Sequence, residues 1–264
     1  MIKLWCNPDQ FFFQRGLCKQ LLLVRDGKEV CSLELEPLFT IKVTCNYCEN
    51  EFTTSRVRPS FKRAIKTDTD FCGYYRNENP DYYVVRVCPF CGFASTENST
   101  ERLNERQTAR YHEEIETRYI KRDYGGKRDW STALETYKLG LLCAQTINEK
   151  ERIIASLLHH IAWLYRYKED REQERRFLQY SLESYIRVFE TESNLGNDAR
   201  LMYLIGELNR RTGNYNDAVK WFSRVINDKK IMDASMIRAS REQWAVLREE
   251  MLNDGHELPE EMQN

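Results

Sequence analysis

Hydrophobic and polar positions change their rhythm twice along this chain. Residues 1–33 carry apolar side chains at Trp5, Phe11, Phe12, Phe13 and Leu21 to Val24, but in no sustained helical or strand period. From Glu34 to about Ala94 short alternations take over: Phe39, Ile41 and Val43 interleave with Thr40, Lys42 and Thr44, and Tyr83, Val85 and Val87 with Tyr82, Val84 and Arg86. Alternation of this kind predicts two half-buried strands, each running straight into a cysteine pair. Arg58-Pro59-Ser60, Cys72-Gly73 and Asn79-Pro80-Asp81 supply turns between them.

Past residue 97 the period becomes helical. Asn98-Ser99-Thr100-Glu101 reads as a capping box opening a helix to about Arg122, ended by Gly125-Gly126. Further helices are predicted over 130–146, 150–167, 171–190, 198–212, 215–228 and 233–252, with breaks such as Leu195-Gly196-Asn197 and Thr212-Gly213-Asn214. The expected fold class is α+β, mostly α: a leader at 1–33, a zinc-ribbon-like module at 34–97, a helical repeat domain at 98–252 and a flexible tail at 253–264. The leader carries a second reading, as sequence outside the native protein, because Lys28-Glu29-Val30 can be encoded by a purine-rich ribosome-binding sequence with Leu33 as an alternative start.

Composition narrows the function. Charged residues make up 31% of the chain but nearly cancel, leaving a formal net charge of -1, so no global field draws it to nucleic acid or an anionic membrane. No apolar run is long enough to span a bilayer, and a cytoplasmic protein is expected. In a reducing compartment, nine cysteines are ligands and free thiols rather than a disulfide framework.

Cys45-Asn46-Tyr47-Cys48 and Cys88-Pro89-Phe90-Cys91-Gly92 both hold two residues between thiols, the gap that aims two sulfurs at one tetrahedral ion. Random placement of the cysteines would give roughly 0.3 such pairs per chain, so two argue for a shared site. Pro89 restricts the second turn and Gly92 can take a positive φ that brings N–H groups toward the sulfurs. One structural zinc per chain is expected on Cys45, Cys48, Cys88 and Cys91, with iron as the alternative for a four-sulfur shell.

Three weaker signals remain. Cys72 lies between the pairs and is the candidate for a thiol- or metal-dependent enzyme, although no Cys–His arrangement accompanies it; His112, His159, His160 and His256 have no ligand or catalytic spacing. Arg56, Arg58, Lys62, Arg63 and Lys66 form a basic strip around Phe61, the alternative reading being nucleic-acid binding; nearby acids favour a solvated face.

Residues 105–228 resemble tetratricopeptide repeats, most clearly from Ala199 to Ile226, where Met202, Ile205 and Gly206 match a first helix, Gly213-Asn214-Tyr215 the turn, and Ala218, Phe222 and Val225 a second helix. That resemblance implies a peptide groove lined by His159, Trp163, Arg166, Tyr167, Tyr203, Glu207, Arg210 and Arg211, suited to an acidic peptide or a terminal carboxylate. Leu35-Glu36-Pro37-Leu38, the two cysteine pairs, Asp70-Phe71-Cys72, Asn79-Pro80, Tyr83 and Val87 through Ala94 together resemble the bacterial family called domain of unknown function 2225. The resemblance implies metal-binding cysteines and a helical C-terminal extension, and no activity. The expected function is a non-enzymatic adaptor or scaffold that binds a protein or peptide through its helices.

Overall fold

In the computed structural model the described residues are 35–192 and 199–262, together with the backbone of a strand pair, β1 (Gln20–Arg25) and β2 (Lys28–Leu33), antiparallel with Gln20 opposite Leu33. This pair falls in the segment where no period is legible. β3 (Leu38–Thr44) and β4 (Glu51–Val57) form a second antiparallel hairpin, with Leu38 opposite Val57 and Thr44 opposite Glu51. Its exposed positions in β3 are Thr40, Lys42 and Thr44, as alternation requires. Two minimal ladders follow, β5 (Lys66–Thr67) with β6 (Gly73–Tyr74) and β7 (Arg86–Val87) with β8 (Ala94–Ser95).

The second predicted strand is a correction. Pro80–Tyr83 is a 3₁₀ turn, with Pro80 at its start and the Asn79 side chain accepting from the Asp81 N–H, and only Arg86–Val87 are extended. Tyr83, Val85 and Val87 are nevertheless all buried, so a turn plus a short strand produces the same burial alternation as one long strand. A buried arginine holds this turn. Arg128 donates to the carbonyls of Tyr82, Val85 and Tyr124 at 2.7–2.9 Å.

Among the described residues seven α-helices follow: α1 (Glu105–Glu114), α2 (Trp130–Thr146), α3 (Glu151–Arg166), α4 (Arg171–Glu192), α5 (Ala199–Thr212), α6 (Tyr215–Asn227) and α7 (Ala234–Asn253). The last six lie within two residues of their predicted spans. The first is shorter than predicted, because the capping box that forms is Asn104 with Gln107, while Thr100 instead gives its N–H and hydroxyl to Glu149. Gly125 does not end a helix; it packs against β4, its carbonyl accepting from the Ser55 N–H at 2.8 Å.

Consecutive helices from α2 to α7 pack on one another. Gly206 lets α5 meet α6 closely, since a Cβ there would lie 2.8 Å from the Phe222 ring. The main core is continuous across the boundary expected at residue 97: it joins Cys45, Phe52, Val87, Cys88, Cys91 and Phe93 to Tyr111, Tyr137, Cys143, Ile161 and Leu164. A head too small to bury its own interior thus completes its core on α1, α2 and α3. Met262, within the segment expected to be a tail, is buried in the cluster with Phe222, Leu247 and Met251. No helix among the described residues is long and apolar enough to cross a membrane.

Candidate metal centre and the buried polar lock

The β3–β4 turn presents Cys45 and Cys48, and the β7–β8 turn presents Cys88 and Cys91. In each turn the first cysteine's carbonyl accepts from the N–H four residues on, Glu49 at 3.0 Å and Gly92 at 2.9 Å, and both of those residues take positive φ, 59° and 81°. Glycine adopts that conformation freely, whereas glutamate is strained there. The four Sγ atoms lie within 4.8 Å of one another, with Cys45 to Cys91 and Cys48 to Cys88 each 3.7 Å apart. Four thiolates around an ion at about 2.3 Å would stand about 3.8 Å apart along each tetrahedral edge. The donor set fits a metal ion, and Cys45, Cys48, Cys88 and Cys91 could hold one.

Without an ion the four thiols share protons unequally, Cys91 being pushed well above the usual thiol range by its contact with Cys45 and by burial. The S–H of Cys91, together with N–H groups of its own turn, holds the Cys45 thiol down at about 5, while burial pushes Cys88 up to about 11. Asn50 Nδ2 donates to Cys48 Sγ at 3.3 Å, offsetting thiolate charge. Aromatic rings seal one side: Tyr111 donates its hydroxyl to the Cys91 carbonyl at 2.9 Å and meets Tyr47 edge-on at 4.5 Å and Phe93 at 5.0 Å.

A second constellation lies between the head and α3–α5. The turn Asp68–Cys72, closed by the Phe71 N–H on the Asp68 carbonyl at 2.9 Å, inserts a completely buried Asp70 carboxylate among the helices. Arg166 donates to both its oxygens, at 2.8 and 2.6 Å, Trp163 Nε1 donates at 3.1 Å, His159 Nε2 lies 3.3 Å away and Arg211 3.6 Å. Burial alone would raise this carboxyl, but hydrogen bonds from His159 and Arg166 hold it well below the usual range. Burial keeps His159 below the ordinary imidazole value. Arg211 and Arg210 also clasp the buried Glu207, Tyr203 donates its hydroxyl to the Thr69 carbonyl at 2.8 Å, and Tyr167 donates to the Gly73 carbonyl at 2.8 Å.

All eight residues expected to line a peptide groove therefore meet in one network, and the segment seated on it is the chain's own. An acidic peptide was the expected occupant; Asp70, with its neighbours Asp68 and Thr69, supplies the acid. On the inserted segment the sequence signal was Asp70-Phe71-Cys72, and the partners of Asp70 stand 89 to 141 residues away.

The remaining candidates fall elsewhere. Cys72 is fully buried, 3.5 Å from the Tyr167 hydroxyl, and burial pushes its thiol up to about 12, the opposite of an activated nucleophile. Within the basic strip, Arg56 pairs with Glu97, Lys66 with Asp68 at 2.9 Å, and Arg58 donates to the Glu36 carbonyl and covers the Phe39 ring. Lys62 and Arg63 alone of the five have no side-chain partner among the described residues. His112 pairs with Glu116, His160 with the Ser156 carbonyl, and His256 packs on Tyr215.

Neither a curated protein nor a solved structure matches the chain. The family model of DUF2225, described as an uncharacterized protein conserved in bacteria, matches residues 38–247, and the chain belongs to that family.

Proposed function

We propose that this chain is a non-enzymatic, cytoplasmic scaffold whose head is fixed by one structural zinc ion and whose tetratricopeptide-like helices carry a protein or peptide partner. The observation that carries the reading is the closed sulfur shell: four thiols at tetrahedral spacing leave no open coordination position for a substrate or an activated water. Zinc suits a redox-inert site in a zinc-ribbon-like head, and its binding, on the order of 10–16 kcal/mol, exceeds the stability of a typical domain. Because His159, Trp163, Arg166 and Arg211 already hold Asp70, the partner meets a different face of the helices.

Elemental analysis of freshly purified full-length protein tests the metal: about one zinc per chain is expected, and iron with a visible charge-transfer band would replace zinc in the proposal. Pull-down with and without nuclease tests the partner class. Loss of every partner on nuclease treatment would favour the nucleic-acid reading, for which Lys62 and Arg63 are the available cations.

A further inference from the structure

The face of the molecule next to the sulfur shell carries an apolar knob and an apolar groove side by side. The groove, about 780 Å³, runs between α1 and α2, walled by Ile115, Tyr119, Leu139 and Leu142, with Ile120 forming its outer edge. The knob is Ile120, 87% exposed on the segment that leaves the 3₁₀ turn Glu116–Arg118, and Leu142 at the groove is 50% exposed. Exposed side chains this large and adjacent mark a contact surface. Nor is the knob loosely held: a Cβ on Gly92 would run into the Tyr119 ring, Tyr47 donates to Glu116 at 2.6 Å, and the Tyr119 hydroxyl donates to the Arg122 carbonyl at 3.1 Å.

Charge identifies what the face would accept. The knob is flanked by Arg118 and Lys121, and the groove rim carries Glu113 and Glu114 on one side and Arg118 on the other. Among the described residues Arg118, Lys121 and Glu113 have no ion-pair partner, and Glu114 has only Arg110 at 3.6 Å. One patch thus presents both halves of a complementary contact, an exposed Ile120 beside Arg118 at one edge of an apolar groove and Glu113 with Glu114 at the other. A twofold axis is the operation that pairs such a patch with itself and closes the assembly. We infer that this face is a self-association surface, on which Ile120 of one copy enters the α1–α2 groove of a second copy and Arg118 of each meets Glu113 of the other.

Sedimentation of the full-length, metal-loaded protein tests this, with a dimer expected at roughly 50 µM chain. Ile120→Asp, at a site too exposed to be needed for folding, should weaken the dimer at least roughly thirtyfold, as should Glu113→Lys in combination with 0.15 M salt or less. Adding Arg118→Glu to Glu113→Lys should restore association, which no nonspecific loss of solubility or fold would do. A monomeric wild type, a dimer indifferent to Ile120→Asp, or a charge swap that fails to restore would each overturn the inference. So would a monomer in which hydrogen exchange around Leu139 and Leu142 slows only when residues 1–34 are present, since the chain's own N-terminal segment would then be the occupant.

Discussion

The head is joined to the helices at two places built on opposite chemistry. Around the cysteine turns the contact is apolar and aromatic, with Tyr47, Phe93 and Tyr111 packed over four sulfurs. At the Asp68–Cys72 turn it is ionic, a buried carboxylate surrounded by arginine, histidine and indole donors. An apolar contact tolerates a changed side chain at the cost of a cavity. A buried ion pair gains little over a well-packed apolar substitute, yet removing one partner leaves a charge stranded. Removing one partner of the ionic joint should therefore cost more than the intact pair contributes.

Breaking the sulfur shell should have the larger effect. Cys45→Ser or Cys88→Ser, or chelation of the metal-loaded protein, should unfold residues 35–97, read as loss of amide protection there while α4 to α7 stay protected. Full protection of the head without metal would mean that aromatic packing alone sustains it. Next comes the ionic joint: Asp70→Ala strands Arg166 and Arg211 and should cost about 3–5 kcal/mol in urea unfolding, nearer the lower figure because Arg166 also reaches Asp68 at 3.1 Å and Glu174 at 2.6 Å. A cost below about 1 kcal/mol would show that the joint opens freely.

Acid should act on the ionic joint with a definite sign. Both His159 and Asp70 have folded-state values below their unfolded ones, so the unfolded chain binds more protons and stability falls as pH falls. His159 contributes from about pH 6.5 downward and Asp70 from about pH 4 downward. In Asp70→Asn the lower step should shrink, measured by urea midpoints across pH, to what Asp68 and Glu116, also held below their ordinary values by their partners, still contribute. The smallest effect expected is at the first cysteine turn: Glu49→Gly places glycine at φ 59° and should stabilise the head by up to about 1 kcal/mol, matching what Gly92 already provides in the second.

What could be read from the chain without coordinates follows the range of the interactions. The helices after residue 130 and both cysteine turns are local patterns, fixed by periods of three to four residues and by two-residue gaps, and their positions were legible. The span from 98 to 122 was misplaced because Asn98-Ser99-Thr100-Glu101 and Asn104 through Gln107 both have capping chemistry, and only the tertiary contact between Thr100 and Glu149 decides between them. Arg128 gave no signal at all, since a buried arginine and an exposed one look alike in sequence. The residues around Asp70 are ones that the tetratricopeptide resemblance places along a groove, while the segment seated among them has no local signal: no periodicity connects Thr69 to Arg211.

That last separation has a consequence for how the molecule is made. On a ribosome the N-terminal head emerges first, and both cysteine turns are available once residue 91 is clear. The seat for Asp70 is finished only when Arg211 has followed, a further 120 residues by the numbering of the two positions. At bacterial translation speeds that is roughly 6–24 s, during which the turn that carries Asp70 lacks part of its seat. The nascent chain therefore completes its apolar joint first, once α3 has followed the head, and its ionic joint only after α5 has been made.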